Sequence, residues 1–207
     1  MSVSSLDYEY DIFISYRRMD EDWIRWTKEN FVRPLRSLLR PALGNVKIFV
    51  DDQIECGSSW PDYLARALAH SRLLIPVLCP DYFNSDWCRL ELALMHQRAM
   101  NNPANMILPF IINDGDCFPP EIQVIQSWQI HDFANPWMPI NSPKQYEFTE
   151  HLKGCCPRIQ TALANVPQFD PAWENIALAQ FSTLFTINTQ AQTSLPGLSL
   201  SPPLQLP

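Results

Sequence analysis

The stretch VKIFVDDQIECGSSWPDYLARALAHSRLLIPVLC, residues 46–79, decides the fold. It opens on VKIFV and closes on RLLIPVLC, two short runs rich in β-branched and aliphatic residues that read as strands. Between them the polar DDQIECGSS reads as a loop, and the residues after it put Leu64, Ala67 and Leu68 on one helical face. Ser59 suits the cap of that helix and Pro61 its first turn, where an amide hydrogen has no intrahelical partner. Strand, helix and strand in this order predict a parallel pair joined by a crossover. Pro76 is the awkward residue, because inside a central strand it removes a ladder donor.

The same alternation continues on both sides. YDIFISY, residues 10–16, reads as a first strand, and EDWIRWTKENFVRPLRSLLR as a helix with a bend at Pro34. After residue 79, NSDWCRLELAL begins a helix that runs to about residue 99. NMILPFII (105–112) and SWQIHDF (127–133) follow as strands, and residues 144–163 as a last helix. Five such steps predict an α/β fold, a flavodoxin-like, doubly wound parallel sheet flanked by helices, over residues 8–164. Ligands in such sheets bind beyond the carboxyl ends of the strands.

Composition shifts after Arg158, the last basic residue. PAWENIALAQFSTLFTI spaces Trp173, Ile176, Ala177, Phe181, Leu184 and Phe185 helically, so 165–188 reads as an amphipathic extension. Its apolar face suits either the domain's own surface or a partner. Residues 189–207, rich in Pro, Ser, Leu and Gln, read as a flexible tail, with another protein as its expected partner.

Hydrophobic residues make up 46% of the 207 and charged ones 18%, which fits a globular chain. With 15 basic against 22 acidic side chains and no basic stripe, nucleic-acid binding is not expected. No apolar run reaches the roughly 20 residues that span a bilayer, and the first residues lack a secretory pattern, so the expected location is cytoplasmic. The six cysteines show neither a CxxC repeat nor His at zinc spacing, and read as reduced thiols with no metal.

Three stretches together resemble the TIR (Toll/interleukin-1 receptor) domain family: YDIFISYRRMDEDW, FVDDQIECGSSWPDYLARALAHSRLLIPVLCPDYFNSDWCRLEL and WQIHDF. The longest of them is similar to the family's strand, BB loop, helix and S-x-W-C-x-x-E-L run in the family's order. Cys79 stands where a Ser is more usual, and Phe148-Thr149 replaces the Phe-Trp pair of animal receptor members. The resemblance therefore points to the bacterial or plant-like, NAD-cleaving branch. It implies two activities: TIR–TIR assembly, and cleavage of NAD⁺ as substrate, with no cofactor, at the nicotinamide–ribose bond. Products would be nicotinamide and ADP-ribose or a cyclic variant, formed in immune or anti-phage signalling or cell death. It also assigns self-association to the BB loop, here Asp52, Gln53, Ile54, Glu55 and Gly57, and the catalytic glutamate position to Glu91.

The chemistry agrees with that assignment. Nicotinamide on ribose is already a cationic leaving group, so its departure needs no acid; what the transition state needs is negative charge beside an oxocarbenium-like ribose. Trp87, Cys88 and Glu91 share a helical face, and Ser85 is placed to cap that helix or touch the ribose. Arg17 and Arg18 suit a pyrophosphate grip or surface ion pairs. Tyr16 and Trp60 suit stacking on a base or plain core packing, Trp87 faces substrate beside Glu91, and Asp51 suits a ribose contact or a brace for the BB loop. Cys88 reads as packing, His70 and His96 lack a triad partner, and ECGSS is no P-loop. A non-enzymatic adaptor acting through the BB loop, and a transferase acting on another N-glycoside, remain as alternatives.

Overall fold

The computed structural model describes residues 7–51, 60–100 and 105–193. Five parallel strands form one sheet in the order β2-β1-β3-β4-β5: β1 (Tyr10–Tyr16), β2 (Ile48–Val50), β3 (Ser71–Leu78), β4 (Phe110–Ile111) and β5 (Trp128–Gln129). This is the flavodoxin-like order the sequence predicts. Ile12, Phe13 and Ile14 are buried in succession, as expected of a strand covered on both faces.

Three strands are shorter than their apolar runs. Residues 105–112 yield only an isolated bridge, Leu74 to Ile107, before β4 begins at Phe110; Pro109 sits in the gap and offers no N–H. That gap also resolves Pro76. Leu74 N–H bonds Met106 O and Leu74 O accepts from Leu108, so Leu74 faces the β4 side. Alternate residues point the same way, which aims the Pro76 nitrogen at the interruption, so the donor it lacks is missing on the side where the β3–β4 ladder is broken. VKIFV contributes only Ile48–Val50, and SWQIHDF ends as a short 3-10 turn, His131–Phe133.

The helices follow from handedness. The step from β1 to β2 and the step from β2 to β3 run in opposite directions across the sheet, so right-handed crossovers put their helices on opposite faces. On one face α1 (Glu21–Arg25), a π-helical stretch (Trp26–Val32) and α2 (Arg33–Leu43) run on as one helical rod, with α2 packed against α6 (Pro143–Ala164). Before Pro34, where a bend is predicted, the rod widens instead: Arg33 N–H reaches Lys28 O, five residues back. The π turns set Trp26 and Phe31 wholly inside the core. α3 (Trp60–Ala69) and α4 (Asp86–Met100) cover the other face; α5 (Pro120–Gln123) is one turn near the β5 edge. α6 is capped by Ser142, whose Oγ accepts from Gln145 N at 3.2 Å. Ser142→Ala is expected to lower stability by about 1 kcal/mol, read as a lower urea midpoint at unchanged slope.

The last helix, α7 (Ala172–Thr193), extends into the region read as flexible tail, so that reading is corrected over 189–193: Gln190, Ala191, Gln192 and Thr193 are good enough helix formers to continue it in the absence of Pro or Gly. α7 packs on α3 and α4. Ala177 and Phe181 are buried there, with Trp173 and Ile176 beside them. Glu174 pairs with Arg66 at 2.8 Å and meets His70 Nε2 at 2.9 Å. The face at Trp173, Ile176, Ala177 and Phe181 is thus covered by the domain itself. The BB-loop residues Asp52, Gln53, Ile54, Glu55 and Gly57, the expected cap Ser59, and residues 194–207 lie outside the described residues. Among the described residues no helix is long and apolar enough to cross a membrane, and no three His, Cys, Asp or Glu side chains cluster as metal ligands.

Candidate active site

At the carboxyl edge of β1 and β2 a cavity of about 150 Å³ is lined by Phe13, Ile14, Tyr16, Arg17, Arg18, Asp51, Trp60, Ser85, Trp87, Cys88 and Glu91. All eight described residues singled out from the sequence as catalytic or substrate-binding meet here: Tyr16, Arg17, Arg18, Asp51, Trp60, Ser85, Trp87 and Glu91. Phe13, Ile14 and Cys88 join them as walls. Strand ends and the helix starts that follow converge at this edge, which is why residues far apart in the chain meet.

Each side chain is held by a local device. Ser85 has extended backbone and its Oγ accepts from Cys88 N at 3.4 Å, so it caps α4. One turn on, Glu91 points under β1, where Ser15 Oγ lies 2.5 Å from its Oε2. Tyr82, on a 3-10 turn (Pro80–Asn84), brings its hydroxyl to 2.6 Å from the same Ser15 Oγ and 3.1 Å from Cys88 O. Neither Ser15 nor Tyr82 stands among the residues the sequence reading assigns to the site. The only sequence signal for Tyr82 is the Pro80-Asp81 pair that opens its turn.

The opposite wall is aromatic and charged. Trp60 and Trp87 meet edge to face at 4.8 Å. The Arg18 guanidinium lies 5.6 Å from the Trp60 ring centre and 3.4 Å from Asp51 Oδ2. Asp51 also accepts from Trp60 Nε1 at 3.4 Å, and its carbonyl from the Tyr16 hydroxyl at 3.3 Å. Asp51 is therefore a brace for the Arg18 and Trp60 wall. Arg17 is exposed at the rim.

Electrostatically, burial holds the groups at and beneath the pocket floor in their neutral forms. Burial raises the Glu91 carboxyl from an ordinary 4.5 to about 8; the Ser15 hydrogen bond and Arg18 pull it down, and the Asp51 charge adds to the rise. Burial likewise raises the Cys88 thiol and holds the Tyr82 hydroxyl well above its usual range. Cys88 is thus a protonated packing residue, with Sγ 3.6 Å from Tyr16 O. A buried carboxyl group in an aromatic-walled pocket, with the Arg18–Asp51 pair across from it, has the parts to stabilise a cation beside it and an anionic group farther out.

The TIR domain family profile matches residues 12–140, which takes in β1 from Ile12 on, the other four strands and the whole cavity, and leaves α6 and α7 outside. The 2′ cyclic ADP-D-ribose synthase AbTIR of Acinetobacter baumannii is 34% identical over 109 residues, 52% of this chain and 37% of that protein. The NAD(+) hydrolase TirS of Staphylococcus aureus is 27% identical over 103 residues, 49% of this chain and 33% of that protein. The TMV resistance protein N of Nicotiana glutinosa is 34% identical over 92 residues, 44% of this chain and 7% of that protein. The chain spans well under half the length of each of these relatives. With more than half of its residues matched in one run, through every strand and every residue around the cavity, the chain belongs to the TIR domain family.

Proposed function

We propose that the chain is an NAD⁺ glycohydrolase that breaks the nicotinamide–ribose bond with Glu91 as its catalytic carboxylate. The observation that carries this reading is the burial of Glu91, 6% exposed, at the base of a cavity walled by Trp60, Trp87 and Arg18. As the C–N bond breaks, its electron pair passes to the ring nitrogen and neutralises the pyridinium. The ribose takes up positive charge, and ionised Glu91 beside it lowers the barrier. Water then adds to the anomeric carbon and releases a proton, giving ADP-ribose; closure by a hydroxyl of the same molecule gives a cyclic product. A cavity of about 150 Å³ is smaller than most ligand sites and suits the nicotinamide–ribose end alone. Tyr16, Trp60 and Trp87 offer stacking faces, Arg17 and Arg18 charge for the pyrophosphate, and Ser85 a polar contact to ribose, while Asp51 holds Arg18 and Trp60 in place. The names of the two bacterial relatives support this substrate class.

Assembly through the BB loop completes the site, and the setting is immune signalling or cell death. The test incubates purified protein with NAD⁺, concentrated and dilute, and follows nicotinamide for the wild type and Glu91→Ala. Release that grows more than linearly with protein concentration and disappears in Glu91→Ala is expected. Release that survives the substitution removes Glu91 from its role. No release in any state of assembly makes the chain an adaptor that acts by TIR–TIR contact.

A further inference from the structure

The buried side chains around Glu91 form a row whose hydrogens can be counted. Glu91 Oε2, Ser15 Oγ, Tyr82 Oη and Cys88 O stand in sequence at 2.5, 2.6 and 3.1 Å. The row ends on a carbonyl, which only accepts. Three contacts need three hydrogens, and the two hydroxyls bring two. With Glu91 ionised, Ser15 donates to it, and Tyr82 must leave unserved either its 2.6 Å contact to Ser15 or its bond to Cys88 O. With Glu91 protonated, every hydrogen points one way: Glu91 donates to Ser15, Ser15 to Tyr82, and Tyr82 to Cys88 O. Ser15 is 1% and Tyr82 0% exposed, so bulk solvent does not reach this part of the row.

We propose that Tyr82, acting through Ser15, is a positioning residue that holds Glu91 as a neutral acid in the free protein, and that Glu91 loses this proton to solvent when a cationic N-glycoside enters the cavity. The proposal rests on the reading of Glu91 as the reaction's carboxylate. A neutral acid has no charge to offer the ribose, so the free site is idle until a positive charge favours the ionised form. Ser15 then donates to the carboxylate and Tyr82 to Ser15, and the binding step releases one proton. The charged and titratable groups around Glu91 among the described residues fit this picture. Asp51, at the end of β2, disfavours ionisation; Arg18, after β1, favours it but is paired with Asp51; Arg17 lies at the rim. Cys88 on α4, Cys79 at the end of β3 and Tyr82 are held protonated by burial.

The experiment is infrared titration of the carboxyl band in the wild type, Glu91→Gln and Tyr82→Phe, beside pH profiles of kcat/KM for the wild type and Tyr82→Phe. At neutral pH the wild type is expected to show a protonated-carboxyl band that Glu91→Gln lacks. In Tyr82→Phe its midpoint is expected to fall by about one pH unit, tenfold in proton affinity, and the kcat/KM profile to move to lower pH with it. A Tyr82 that merely fills the core leaves both midpoint and profile in place. A Glu91 band that titrates in the ordinary range, about 4.3, or that ignores Tyr82→Phe, overturns the proposal. The wild type and Glu91→Gln spectra decide the protonation state even where Tyr82→Phe does not fold. Neither spectrum requires turnover, so a neutral Glu91 without nicotinamide release sinks the glycohydrolase reading alone, and Glu91-dependent release without the band sinks this proposal alone.

Discussion

Glu91→Gln is expected to release nicotinamide at least about 100-fold more slowly than the wild type, and to be the more stable protein at pH 9. The kinetic loss follows from shape without charge: Gln fills the same space but brings no anion to the ribose, and losing one group aimed at developing charge costs about 100- to 1000-fold in rate. The gain in stability follows from proton linkage. The Glu91 carboxyl titrates near 8 in the folded chain against an ordinary 4.5. Between those values the folded protein keeps a proton that the unfolded chain has lost. Folding therefore takes up a proton, and the stability due to Glu91 falls as pH rises through this window. Each pH unit is worth about 1.4 kcal/mol, so the full window amounts to a few kcal/mol. Gln has no such dependence. Urea midpoints of the two proteins should lie closest near pH 4.5, draw apart up to about pH 8, and run parallel above it. Parallel curves over the whole range would mean that Glu91 ionises in the folded chain as it does in water.

The parts of the fold that were legible in the sequence are those fixed by local pattern. YDIFISY became β1 without a shift of boundary, and the strand–helix–strand run at 46–79 became β2, α3 and β3, because their apolar periodicities are intrinsic to the segments. Residues 105–112 were not legible in the same way. Whether an apolar run forms a ladder depends on what its neighbour offers, and Pro109 and Pro76 break β4 from both sides. The cavity residues were legible because strand ends in an open parallel sheet meet at one edge. The row behind Glu91 was not, since it depends on the 3-10 turn that carries Tyr82 back beneath Ser15. For α7 the spacing showed an apolar face, but nothing in the spacing says which surface it covers.

That surface gives the other large effect: Phe181→Ala is expected to destabilise the protein by about 3–5 kcal/mol and to raise KM for NAD⁺ more than it lowers kcat. Phe181 is fully buried, and truncating a buried aromatic ring leaves a cavity as well as removing its burial. Its ring lies 5.8 Å from that of Trp87, Trp87 meets Trp60 at 4.8 Å, and Trp60 carries the Arg18 guanidinium at 5.6 Å. α7, outside the matched family region, is thus the backing of the cavity's aromatic wall. On the proposed reading this wall stacks on NAD⁺ in ground state and transition state alike, so loosening it weakens binding without touching the carboxylate, and the loss shows in KM. Phe181→Leu, which refills most of the space, should recover much of both losses. Ile187→Ala on the same helix serves as the control: Ile187 is 56% exposed, and its truncation should change stability by no more than about 0.5 kcal/mol and leave KM in place. Equal effects at the two positions would show that α7 acts by its presence as a helix; unequal ones, in the order given, locate its action at the ring that Phe181 sets against Trp87.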